Sequence, residues 1–94
     1  MKIKDRENLL KAMQKLANEL DKNYRDAEIT QYVNQTLKQL KKSNGVAFTG
    51  VLQEFFNNGA VIKASSSVSF NKIEEAIWTE VFSFQQLGNN LFIL

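Results

Sequence analysis

The chain has 94 residues, enough for one small domain with one core. It holds neither cysteine nor histidine, which removes disulfides, thiolate chemistry, the usual general base and the commonest metal ligand, and so counts against an enzyme. Net charge is only +2 but unevenly placed: residues 1–45 carry ten Lys/Arg against six Asp/Glu, and residues 46–94 two against four.

The first periodic segment covers about residues 4–20. Leu9, Met13, Leu16 and Leu20 recur at helical spacing, with Leu10 and Ala17 widening the stripe, as in a helix with one buried face. Asp5 is its expected N-cap, and residues 21–23 break the pattern. A second helix is expected over residues 26–42. Ile29, Val33, Leu37 and Leu40 form its apolar face, and Thr30, Gln31, Asn34, Gln35, Lys38 and Gln39 its wet side. Lys41 and Lys42 suit the negative end of the dipole, and Ser43, Asn44 and Gly45 read as a stop.

The third helix is expected over residues 46–63. Phe48, Leu52, Phe55, Gly59 and Ile62 step along one face, with Val51, Phe56, Ala60 and Val61 beside them, so it should be the most buried of the bundle. Gly50 and Gly59 each cost about 1 kcal/mol against alanine, and close helix approach is the expected reason for keeping them. Residues 64–67, Ala-Ser-Ser-Ser, form a loop. Asn71 and Glu74 then make a capping arrangement for a fourth helix, with Ile73, Ile77, Val81 and Phe84 inward, Trp78 flanking them and Gly88 as the C′ residue. The expectation is an all-α, antiparallel up-down four-helix bundle, a single domain over residues 1–94, with a short apolar C-terminal tail.

That tail is Leu91, Phe92, Ile93 and Leu94. Chain ends are usually polar unless tied down, so these residues are expected either to cover the core or to meet a partner. Packing them against the third and fourth helices would bury roughly 300 Å² of apolar surface and stabilise by several kcal/mol at about 25 cal/mol per Å². The same surface left exposed is large enough for binding. Trp78 reads as core or as an interface anchor.

Little in the chain points to chemistry. Glu74, Glu75 and Glu80 are best explained by capping and solvation, because no second acidic cluster answers them. No metal site and no phosphate-binding loop is written, and no cofactor is expected. The cluster Lys38, Lys41 and Lys42 reads as a solvated face, since acids are interspersed through the basic half. The second helix is a weak match to a nucleic-acid recognition helix, because about five residues separate it from the first where a helix-turn-helix needs a tighter turn. The N-terminus lacks the apolar core of a secretory signal, and the charge-free run over residues 81–94 is too short to span a bilayer, so a cytoplasmic location is expected.

Several runs carry a family resemblance: Asn23-Tyr24-Arg25-Asp26 leading into residues 29–42; Leu52-Gln53-Glu54-Phe55-Phe56-Asn57; Ala64, Val68 and Phe70; Glu74-Glu75; and Leu87-Gly88-Asn89-Asn90. In order and spacing they resemble the pediocin-like (class IIa) bacteriocin immunity proteins over most of the chain. The resemblance implies a small cytosolic four-helix bundle without enzymatic activity. It implies action from the inner face of the membrane, on the complex of bacteriocin with the mannose-type phosphotransferase permease, blocking the pore rather than binding free toxin tightly. It also implies that specificity lies in the C-terminal half. The residues expected to carry partner recognition are therefore Trp78, Gln85, Gln86, Asn89, Asn90, Leu91, Phe92, Ile93 and Leu94. Family members commonly have a longer and more polar tail than this chain. The alternatives are a small helical DNA-binding or regulatory protein, drawn from the basic first half, and an oligomeric adaptor with its tail between subunits; the expected state is monomer or weak dimer.

Overall fold

A computed structural model describes residues 2–85 of the protein. They form four helices: α1 (Ile3–Asn23), α2 (Glu28–Lys42), α3 (Gly45–Ser65) and α4 (Lys72–Ser83). Side-chain pairs fix their directions. Asn34 donates to Asp21 and Lys41 to Gln14, so α2 runs antiparallel to α1. Ser65 donates to Glu28 while Tyr32 stacks on Phe55, which reverses α3 against α2. Lys63 pairs with Glu75 while Phe55 meets Phe82, and Asn23 bonds Glu74 while Lys15 bonds Glu80, so α4 is antiparallel to both α3 and α1. The result is the expected up-down-up-down bundle.

Its core takes one stripe from each helix: Leu9, Met13, Leu16 and Leu20; Ile29, Val33, Leu37 and Leu40; Phe48, Leu52 and Phe55; Trp78 and Val81. Each such side chain, fully buried, contributes about 1.5–3 kcal/mol against the entropy of ordering the chain.

Helix boundaries differ from the sequence expectation where distant residues supply caps. Lys2, not Asp5, is the N-cap of α1 and makes no side-chain cap bond; Asp5 lies in the first turn, where its charge still meets the dipole. The helix continues through residues 21–23 because Asp21 and Asn23 find tertiary partners, on Asn34 and Glu74. The start of α2 shifts from Asp26 to Glu28, with Ala27 as an N-cap that offers no acceptor. Ser66 Oγ, at the far end of α3, accepts from the Ile29 amide at 2.8 Å instead. Thr30, expected in solvent, is buried and donates to the Tyr24 carbonyl at 2.6 Å.

At the α2–α3 connection Gly45 takes φ +55°, a left-handed conformation that favours glycine and lets the chain reverse within two residues. Arg6 closes this end of the bundle, donating to the Ser43 carbonyl at 3.0 Å with its guanidinium 4.8 Å from the Phe48 ring centre. Contrary to expectation, α3 is not the most buried helix: Val46 and Val61 on its outer face are 89% and 69% exposed. Its apolar residues run around the whole helix, and the bundle has neighbours for only part of that circumference.

Candidate interaction surface

The fourth helix begins with a complete capping box. Asn71 Oδ1 accepts from the Glu74 amide at 2.8 Å, and Glu74 Oε1 accepts from the Asn71 amide at 2.7 Å. The sequence predicts this pair as a solvated cap, but Glu74 is fully buried. Its second oxygen accepts from Asn23 Nδ2 at 2.5 Å, a partner 51 positions away. The Tyr24 hydroxyl, donating to the Ser69 carbonyl at 2.5 Å, sits beside the same carboxylate. Burial, and next the negative charge of Glu74, hold the Tyr24 pKa above its ordinary value. A buried carboxylate is tolerated here because donors converge on it.

Seating Glu74 inward rotates α4 relative to the expected stripe. Ile73, predicted inward, is 61% exposed, and Ile77 and Phe84 are half-buried. Glu74, Trp78 and Val81 form the buried face. Trp78 is therefore not the flanking residue; only 8% of it is exposed, and it anchors α4 from within. Its ring stacks on Phe82 with centres 4.7 Å apart, meets Phe55 at 6.0 Å and takes Phe70 edge-on at 5.6 Å.

The seam between α3 and α4 is thus aromatic. Phe82 also contacts Phe55 and Phe56 at 5.5 and 5.3 Å, and Tyr24 stacks on Phe70. Gly59 makes room for the rings: a Cβ there would lie 3.1 Å from Phe82 Cζ and 3.5 Å from Trp78 Cη2. Gly50 has no neighbour within 4 Å and Gly59 admits side-chain rings, so neither glycine serves the close helix approach expected of it. Lys63 covers the seam from outside. Its ammonium is 4.5 Å from the Phe70 ring centre, 5.2 Å from that of Trp78 and 2.6 Å from Glu75 Oε1.

Of the residues expected to recognise a partner, Trp78 and Gln85 are described, the first as core and the second as a half-buried position just beyond α4. Gln86, Asn89, Asn90, Leu91, Phe92, Ile93 and Leu94 lie outside the described residues, as does Gly88. Sequence reading passes over the roles of Asn23, Lys63 and Phe82. Only the phenylalanine had a legible signal, lying four residues after Trp78 on the same helical face.

A shallow groove of about 150 Å³ separates α2 from α3, lined by Tyr32, Gln35, Thr36, Gln39, Val51 and Glu54. It is well below the roughly 300 Å³ of a small-molecule site. Burial raises the Tyr32 pKa, opposed by a hydrogen bond with Asn58 and aided by the charge of Glu54. Among the described residues there is no group of three or more side chains placed to hold a metal ion, and no helix long and apolar enough to cross a membrane. No protein-family model matches the chain, and no characterised protein or solved structure matches it either.

Proposed function

We propose that the protein is an immunity protein of the pediocin-like type. On this reading it works by steric binding, without chemistry, from the cytosolic side of the membrane. Its partner is the complex of a class IIa bacteriocin with the mannose-type permease, and occupancy closes the pore. The observation that carries the reading is the way α4 is held. A capping box at one end, a buried Glu74 and the Trp78–Phe82–Phe55 cluster hold α4 in the bundle up to the residues that precede Gln85. A recognition segment that extends from a fixed support loses less entropy on binding than one on a mobile helix. The residues that carry the family resemblance, Asn23, Tyr24 and Glu74, meet in the network that fixes this support.

The test is co-purification. Affinity-tagged protein, mixed with solubilised membranes from a sensitive strain, is expected to capture the permease when bacteriocin is present and to release it when bacteriocin is omitted. Capture that is absent under both conditions, or equal in both, would count against the reading.

A further inference from the structure

Along the sequence the lysines look dispersed among acids, but the fold sorts them by end. The start of α1 meets the α2–α3 connection through the Arg6–Ser43 hydrogen bond and the packing of Arg6 on Phe48. Residues 2–7, 38–48 and 80–83 therefore lie toward one end of the bundle, and they hold six cations, Lys2, Lys4, Arg6, Lys38, Lys41 and Lys42, against three carboxylates, Asp5, Glu7 and Glu80. The five lysines are all exposed. At the opposite tip, residues 20–31 and 62–75 carry four cations against five carboxylates. The bundle is polarised along its axis.

The basic tip also bears two bare aliphatic side chains. Ile3, in the first turn of α1, is 79% exposed, and Val46, in the first turn of α3, is 89% exposed. Among the described residues the other exposed large aliphatics, Val61 and Ile73, lie on helices at the less basic end. Apolar side chains at the same end as flexible cations can do two things at once. The ammonium groups gain from the potential of an anionic surface, and the aliphatic side chains gain by leaving water for the acyl boundary beneath the headgroups.

We infer that the tip formed by the start of α1 and the α2–α3 connection docks the protein on an anionic phospholipid bilayer, Ile3 and Val46 entering the interface and the surrounding lysines contacting the headgroups. Nucleic-acid phosphate would satisfy the lysines equally well but gives two exposed aliphatic side chains nothing to enter. The inference goes beyond the toxin-protection reading and stands without it, because vesicle binding needs neither permease nor toxin.

The experiment is sedimentation with phosphatidylcholine vesicles, with and without phosphatidylglycerol. The protein is expected to pellet with the anionic vesicles, to stay in solution with the neutral ones, and to be released by high salt. Lys42→Gln should weaken the partition about fivefold, and Val46→Ser about tenfold. Val61→Ser, at a comparably exposed valine outside the basic tip, should bind as the parent does. Both substituted tip residues are exposed, so helicity by circular dichroism should be unchanged; Lys38→Gln is a second variant expected to give the Lys42→Gln effect. Equal pelleting with both vesicle types, no pelleting with either, or the same effect from Val46→Ser and Val61→Ser would overturn the inference. So would release of the protein from anionic vesicles by duplex DNA at equal phosphate concentration.

Discussion

Replacing Glu74 with alanine is the sharpest perturbation of the fold. The carboxylate is fully buried and accepts from the Asn71 amide at 2.7 Å and from Asn23 Nδ2 at 2.5 Å. A hydrogen bond to a charged group contributes about 1.5–3 kcal/mol, and its loss here leaves two donors facing a cavity. Loss of the acid from the first turn of α4 adds about 0.3–1 kcal/mol. Because the two hydrogen bonds share one carboxylate their losses overlap, and the expected total is about 3–4 kcal/mol. That is a large part of the roughly 5–15 kcal/mol that holds a small domain folded. In urea, with a slope of about 1.5 kcal/mol per M, the midpoint should fall by about 2 M. Glu75→Ala is the internal control, since its pairing with Lys63 is half-exposed and should contribute at most about 1 kcal/mol. Glu74→Gln, which keeps one acceptor oxygen, should fall between the two. A Glu74→Ala midpoint no lower than that of Glu75→Ala would refute the claim that the buried carboxylate organises the start of α4.

The two helix glycines should respond with opposite signs to alanine. Gly50→Ala meets nothing within 4 Å and should stabilise by about 1 kcal/mol, whereas Gly59→Ala puts a Cβ 3.1 Å from a Phe82 ring wedged among Phe55, Phe56 and Trp78 and should destabilise by about 1 kcal/mol in thermal melts. Ser66→Ala removes the acceptor for the Ile29 amide and should cost about 1 kcal/mol by urea titration, with faster amide exchange in the first turn of α2. Both tyrosines have folded pKa values raised above those of the unfolded chain, so the folded state holds its phenolic protons more tightly. That contribution is complete below the unfolded value near pH 10 and is lost as pH rises through the folded values. The urea midpoint should therefore decline above about pH 10, and more steeply in the parent than in Tyr24→Phe/Tyr32→Phe.

What the sequence makes legible follows from what is local. The three apolar stripes of α1 to α3, the stop at Gly45 and the Asn71–Glu74 box are all written within a few turns of chain, and each recurs in the fold. The orientation of α4 is not local. Two stripes compete on it, Ile73-Ile77-Val81-Phe84 and Glu74-Trp78-Val81, and hydrophobicity alone selects the first. The second prevails because Asn23, about fifty positions earlier, satisfies the second oxygen of Glu74, and because Trp78 and Phe82 find the aromatic face of α3. The start of α2 escaped for the same reason, its cap being Ser66 rather than a neighbour in sequence. The polarity of the bundle's two ends emerges only when the Arg6–Ser43 bond ties the start of α1, with Lys2 and Lys4, to the end of α2 that carries Lys38, Lys41 and Lys42. Of the recognition residues proposed from sequence, Trp78 turned out to be scaffold, with Lys63 and Glu75 forming the outer surface above it.

The most direct measurement for the proposed function is protection in living cells. The gene is expressed in a bacteriocin-sensitive strain carrying the mannose-type permease, the protein's presence is verified by immunoblot, and the cells are challenged with a panel of class IIa bacteriocins. Survival at otherwise lethal concentrations of at least one toxin, with sensitivity to the others retained, is the predicted result. Unchanged killing by every member of the panel, with folded protein present, would contradict it.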